Sequence, residues 1–396
     1  MQILFVCQEY PPAARPGGIG GYVECMAAAL ASRGHQVHVL SCEFRQKKSD
    51  SVERGVQVHR RPLLPLRYLH RLLPQTLTRL RVAASNYYWF KRLETSFDVV
   101  EYPEWMAEGL FFSLLRPSAT VAELHTPLSI LGKHFGYRAN LDFKLGCLME
   151  KCGVRRADKV SSPSQLLVDE LAGSGWLQGR LPEVIPYPIE GERWGTSVPV
   201  SLTEPRLLFI GRLERRKSPE TVVEAVNILK PEFPQLHASF AGCGNGTREG
   251  LPYDEWVKKL AGPGNGCEFL GVVPRDQLPS LISKARVVVL PATFDNFPVT
   301  VLEALASGRP VVVSTKTGMA SLVCDNGAGK AVPVGDPAAM AAAVRPYLAD
   351  ASYAARAGEQ ARNLVRNFFD PDHVAGQREL LYRQAHAEFK AREGRN

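Results

Sequence analysis

The sequence predicts an α/β protein of two doubly wound, parallel-sheet domains facing across a cleft, and three observations carry that prediction. A short apolar run opens the chain and leads through a glycine-rich loop into an amphipathic helix. The same order restarts after residue 205. Strand-like apolar runs then alternate with helical patterns, as they do when helices cover both faces of a parallel sheet. At roughly 150 residues per domain, a chain of 396 suits two domains better than one.

Gln2 to Cys7 reads as a strand. Gly20 to Arg33 sets Tyr22, Cys25, Met26, Ala29 and Leu30 at helical spacing, Gly34 can stop the helix, and Gln36 to Ser41 returns to strand alternation. Together they make a Rossmann-like βαβ unit. In the second half Arg206 to Gly211 is a strand. Ser218 is expected as the N-cap of the next helix, with Pro219 at its first position and Val222, Val223, Val226 and Leu229 on one face. Further strands fall at Leu236 to Ala241, Cys267 to Leu270, Arg286 to Leu290 and Pro310 to Ser314, between helical patterns at 251–260, 276–284 and 299–307. Pro186 to Pro205 is rich in proline, glycine and polar residues and reads as a linker, which places the domains at 1–188 and 189–370. From about Pro371 the chain reads as a charged amphipathic helix, 371–396, available to pack back on the first domain.

Apolar residues make up 45% and charged residues 22%, which excludes wholesale disorder and an integral membrane protein. The balance of 48 Lys+Arg against 40 Asp+Glu gives +8 and favours anionic partners. The first residues carry no positively charged leader, and their apolar run is too short for a signal peptide. The eight cysteines form no Cys-x-x-Cys pair and read as reduced core thiols of a cytoplasmic protein.

Ligands of open parallel sheets bind beyond the carboxyl ends of the strands, so function is sought in the strand-to-helix loops. Gly17-Gly18-Ile19-Gly20-Gly21 follows the first strand and opens a helix, leaving backbone N–H groups for an anion; a tight turn that merely needs glycine is the plainer account. After the strand at 206–211 come Arg212, Arg215, Arg216 and Lys217, four cations within six residues. A solvated charge run would explain them, but at a sheet's carboxyl edge arginine can grip a diphosphate in bidentate fashion and lysine adds a point charge. The segment Pro291 to Pro310 reads strand, acidic loop, helix, glycine stop and new strand. Pro298 stands where the helix starts, so the N–H groups of Val299 and Thr300 can meet a phosphate. Glu303, a turn further in, leans back toward that end and can accept two ribose hydroxyls.

These residues resemble those of the GT4 family of retaining glycosyltransferases, which have the GT-B fold. The resemblance rests on the glycine loop, the Gly211-Arg212 to Lys217 segment, the Gly242-Cys243-Gly244 turn, Phe269 to Val273 and the acidic pair. It implies that Arg212 and Lys217 neutralise the donor diphosphate and that Glu303 holds the ribose. Asp295, with the backbone of Asn296, Phe297 and Pro298, would frame the donor sugar. Val299 and Thr300 would bind the distal phosphate, the backbone near Val273 would border the nucleobase, and Gly18 would let phosphate and acceptor approach. His125 matches the family histidine that faces the donor sugar across the cleft. The family spacing is Glu-x7-Glu, and here Asp295 stands at the first position, one methylene shorter, which bears on which sugar hydroxyl it reaches.

The implied reaction is hexosyl transfer from a nucleotide-sugar co-substrate to a hydroxyl acceptor, with retention and with no metal or other cofactor. Cations and helix-end amides can stabilise a departing diphosphate. Glu9, Glu101 and Glu104 are acceptor-side candidates. A nucleotide-sugar epimerase on the same fold, or a non-catalytic nucleotide-sugar-binding protein, are the alternatives.

From Arg54 to Leu93 nine cations and no carboxylate give +9, interleaved with leucines and followed by Tyr87, Tyr88, Trp89 and Phe90. The pattern suits peripheral contact with an anionic membrane on its inner face, hence a lipid-linked or polysaccharide acceptor. Helices packing their leucines internally are the plainer account, and a small soluble acceptor remains open. With no binding module beside the patch, nucleic acid is not expected.

Overall fold

The computed structural model describes residues 1–12, 17–44, 46–65, 73–195 and 198–394. The chain divides into two compact units, Met1–Pro188 with Pro371–Asn396, and Ile189–Asp370.

The first unit is built on an eight-stranded sheet. In chain order its strands are β1 (Gln2–Val6), β2 (Gln36–Glu43), β3 (Ser49–Glu53), β4 (Val56–Pro62), β5 (Val99–Pro103), β6 (Ala119–Glu123), β7 (Lys159–Ser162) and β8 (Glu183–Val184). Their spatial order is β3-β4-β2-β1-β5-β6-β7-β8. Ile3 to Val6 of β1 are buried, as an inner strand covered on both faces requires. Every pairing is parallel except β3 with β4. That hairpin differs from the helical expectation for the start of the basic stretch. Arg54 and Gly55 both take positive φ, 53° and 80°, and form the two-residue turn that matches strand twist.

The first helix spans Gly18–Ser32, two residues earlier than its apolar spacing indicates, with Gly17 as its extended N-cap. A Cβ at Gly17 would overlap the Glu9 carboxylate, so this glycine is needed for close approach. The terminal helix Pro371–Glu393 packs on Gly18–Ser32 and on β6, burying Val374, Leu381 and Tyr382.

The second unit holds β9 (Arg206–Ile210), β10 (His237–Ala241), a small hairpin of β11 (Thr247–Arg248) and β12 (Leu251–Pro252), then β13 (Cys267–Gly271), β14 (Val287–Leu290), β15 (Val311–Ser314) and β16 (Gly329–Val332). Its main sheet runs β13-β10-β9-β14-β15-β16, all parallel. The order reverses between β9 and β14, so the loops leaving those two strands flank the position where such sheets bind ligands. Gly242 allows the ends of β9 and β10 to meet, because a Cβ there would overlap the Gly211 carbonyl.

Ser218 does precede the helix Pro219–Leu229, but it does not cap it. Its backbone is left-handed and its hydroxyl turns back to the Arg215 carbonyl at 3.2 Å. The cysteines also depart in part from a core assignment. Cys7 and Cys42 are buried, whereas Cys243 and Cys324 are exposed.

Candidate functional site

The second-unit site forms where the loops after β9 and β14 meet. Thr293 donates its backbone N–H to the Arg216 carbonyl at 2.7 Å, and the Arg216 guanidinium returns a bond to the Phe294 carbonyl at 3.1 Å. This exchange brings the cationic run against the acidic loop. Lys217 pairs with the Asp295 carboxylate, and Arg216 lies 3.3 Å from the same oxygen. Burial alone would raise the Asp295 pKa; the two cations override that and hold it below the usual carboxylate range.

Arg216 is joined to a second carboxylate, that of buried Glu214, at 3.2 Å, and Asn245 donates to the other Glu214 oxygen at 2.6 Å. Arg212 reaches Glu214 only at 3.5 Å and its side chain stays 54% exposed, so it is far more open to an incoming group than Arg216 or Lys217. The family resemblance singles out Arg212 and Lys217. The structure adds Arg216, which the charge run contained but spacing alone could not separate from Arg215.

Pro298 is the N-cap of the helix Val299–Ala306. The helical ladder begins with the Val301 N–H donating to the Pro298 carbonyl at 3.0 Å, which leaves the Val299 and Thr300 amides ahead of it at the positive helix end. Asn296, Phe297 and Pro298 lie in the largely buried loop before this cap. Glu303 is 4% exposed, and burial pushes its carboxyl up to about 7 against the opposing pull of Arg275 and Arg193. Arg275 follows Val273 by two residues, so the loop after β13 reaches the field of Glu303. Neither arginine carried a sequence signal for this role.

In the first unit His125 follows β6 and is buried. Its Nδ1 forms a short hydrogen bond with the Tyr187 hydroxyl, and its backbone N–H donates to Glu104 at 2.7 Å. Burial, helped by the Arg378 charge, pushes the imidazole down to about 3, so it is neutral near pH 7. Gly18 is exposed at the first helical position.

Glu101 does not stand in a loop as expected of an acceptor-side group. It lies in β5, where Tyr22 and Tyr382 each donate to it at 2.6 Å and Arg378 sits 3.4 Å away. Fully buried Arg378 also pairs with Glu123 at 2.8 Å and donates to Ser161 at 2.7 Å.

The basic stretch offers less free charge than its composition suggests. Arg60 pairs with Glu53 at 2.6 Å, Arg61 with Asp50 at 2.7 Å and Arg79 with buried Glu150 at 3.1 Å. Trp89 donates to the Pro62 carbonyl at 2.8 Å and Phe90 is buried, so these aromatics turn inward. Arg67, Arg71, Leu66, Leu69 and Leu72 lie outside the described residues. Among the described residues no helix is long and apolar enough to cross a membrane.

Two family models match the chain: "Glycosyl transferase 4-like domain" over residues 17–188 and "Glycosyl transferases group 1" over residues 193–364. A glycogen synthase of Mycobacterium tuberculosis is 29% identical over 393 residues, covering 95% of this chain and 92% of that one. Among solved structures, a sucrose-phosphate synthase of Thermosynechococcus elongatus superposes with a TM-score of 0.77 at 22% identity, covering 98% of this chain and 99% of that one. Anabaena HepE in complex with UDP-glucose matches at 0.69 and 19% identity, covering 96% and 98%. The solved structures share the two-domain GT-B fold, and the family and relative names do not favour the epimerase or the binding-only alternative.

Proposed function

We propose that this chain, which belongs to the group 1 glycosyl transferases and carries a glycosyl transferase 4-like domain ahead of them, moves a hexosyl unit from a nucleoside diphosphate to a hydroxyl acceptor with retained configuration. One observation carries the donor assignment: the Arg216–Lys217–Asp295 contact lies beside a helix end whose first amides precede the ladder, with Glu303 one turn inside.

Each group has work that its chemistry suits. Departure of the diphosphate builds negative charge on phosphate oxygen. Arg212, Arg216 and Lys217, with the Val299 and Thr300 amides, supply fixed positive charge for it without a metal. Glu303 accepts the ribose hydroxyls. Asp295 frames the donor sugar while balancing Lys217, and the loop near Val273 borders the nucleobase. In the first unit His125 is a neutral hydrogen-bonding imidazole held by Tyr187 and Gly18 is an exposed backbone position, and the family resemblance assigns both to the sugar transfer. The acceptor is lipid-linked or part of a polysaccharide, and the enzyme acts in the cytoplasm.

A thermal-shift screen against UDP, GDP, ADP and their sugars tests the donor, because a ligand that binds only the native state raises the melting temperature. UDP-glucose, the sugar nucleotide held by HepE, is the first to try. Selective stabilisation by one nucleotide, followed by acceptor-dependent release of that diphosphate, is the expected result. Conversion of the donor to a free epimer without acceptor would overturn the transferase reading.

A further inference from the structure

The helix Leu141–Arg156 has two faces of opposite character. Its acidic residues point inward. Asp142 accepts the Gln75 and Thr76 amides at 2.9 and 2.8 Å, and Glu150 pairs with Arg79. Gly146 and Gly153 are buried on that side too. On the outward face Leu141, Lys144, Leu148, Lys151 and Arg155 recur at intervals of three and four, the spacing of a single helical stripe. Leu141 is 64% and Leu148 58% exposed, and Lys144 stands exposed between them on the same stripe.

At the carboxyl end of this stripe is a recess of about 380 Å³ lined by Leu148, Lys151, Cys152, Arg155, Arg156 and Gln178. It holds three cations and no acidic residue. Lys151 donates to the Ser174 carbonyl at 3.0 Å and Arg155 to the Gly175 carbonyl at 2.8 Å, so neutral oxygens orient the cations, and among the described residues no carboxylate pairs with either. A side chain at Gly175 would crowd both, its Cβ falling 3.1 Å from Lys151 Nζ and 3.2 Å from Arg155 Nη2. Burial and the adjacent Arg155 charge lower the Lys151 pKa, as expected of like charges held together.

From this juxtaposition we propose that the outward face of Leu141–Arg156 is a docking surface for an anionic bilayer, with Lys151, Arg155 and Arg156 holding a phospholipid headgroup and Leu141 and Leu148 entering the apolar layer. Charge complementarity selects the occupant. A cationic recess beside exposed leucines fits phosphate above hydrocarbon, which a purely aqueous anion would not reward. The surface differs from residues 54–93, where Arg60, Arg61 and Arg79 are already paired. The inference deepens the transferase reading by saying where a lipid-linked acceptor is met, and rests on it only for that.

The test is sedimentation of the full chain with vesicles of phosphatidylcholine alone and of phosphatidylcholine mixed with phosphatidylglycerol. Binding to the mixed vesicles only, weakening with salt, is expected. Lys151→Gln with Arg156→Gln should lower the partition about fivefold per cation removed. Leu141→Ser with Leu148→Ser should lower it by a similar factor, whereas Lys91→Gln with Arg92→Gln should leave it unchanged. Equal binding to both vesicle types, no binding, or loss in the Lys91/Arg92 variant but not in the helix variants would each overturn the proposal. Melting with and without UDP, run on the same samples, separates the two readings: vesicle binding reports this surface and nucleotide stabilisation reports the donor site.

Discussion

The Lys217 ammonium rests on the Asp295 carboxylate, a contact between residues 78 positions apart. Arg216 shares that carboxylate, so one buried anion balances part of a cationic cluster built by a different loop. Asp295→Asn would leave Lys217 buried without its partner, a loss of about 3–5 kcal/mol for a broken buried pair. Denaturant unfolding should show that loss, and Asp295→Glu, which restores the charge, should recover much of it.

Arg212 and Lys217 should separate in their effects. Lys217→Ala is expected to lower both stability and turnover. Arg212→Ala removes a half-exposed side chain, so it should leave the melting temperature nearly unchanged while turnover falls on the order of 10²-fold, the scale of one lost charge-stabilising donor. Steady-state kinetics beside thermal melts would check both; wild-type turnover in Arg212→Ala would remove it from the site.

Glu303 predicts a pH dependence. Burial lifts its folded pKa from 4.5 to about 7, so the folded state keeps a proton that the unfolded chain releases. Its stability cost is absent below pH 4.5, grows as pH rises toward about 7 and is then complete, on the order of 3 kcal/mol. Glu303→Gln should flatten this decline in unfolding experiments. Ribose hydroxyls favour the ionised carboxylate, so calorimetric affinity for the donor nucleotide should rise through the same interval in wild type and lose that rise in the variant.

With its pKa near 3, His125 should contribute no limb to the pH–rate profile around neutrality. His125→Ala should lower turnover on the order of 10²-fold at every pH measured. Tyr187→Phe removes the partner of Nδ1 and should reproduce part of that loss with donor-nucleotide affinity unchanged.

Arg378→Met would leave Glu101 and Glu123 facing each other beneath the terminal helix. A destabilisation of about 3–5 kcal/mol is expected. Adding Glu123→Gln should restore part of it, because burial already raises that carboxyl to about 7. An unfolding midpoint equal to wild type in Arg378→Met would contradict the ion-pair account.

Local chemistry made much of this legible in the sequence. The β14 run Val287–Leu290 is wholly apolar because both its faces are covered, and Pro298 marks a helix start because it needs no amide partner. Glycine and charge around 211–217 marked the loop that leaves β9 and meets the loop after β14. What stayed hidden depends on distant contacts. Asp295 meets its cations across 78 residues, and Arg378 meets Glu101 across 277. Ser218 had the right residue type and position for a cap, yet its left-handed backbone turned the hydroxyl away. The hairpin Ser49–Glu53 to Val56–Pro62 escaped notice because its outer strand is polar at the sheet edge, where no apolar alternation is required.

The terminal helix also sets an order of events on the ribosome. All eight strands of the first sheet have been synthesised by Val184, but the cation that satisfies Glu101 and Glu123 arrives with residue 378, after the whole of Ile189–Asp370. The segment made second can therefore finish folding first, while the segment made first waits with two interior carboxyls that lack their cation. A chain truncated just before Pro371 and released from the ribosome should accordingly be protease-resistant in its later half and digestible in its earlier one.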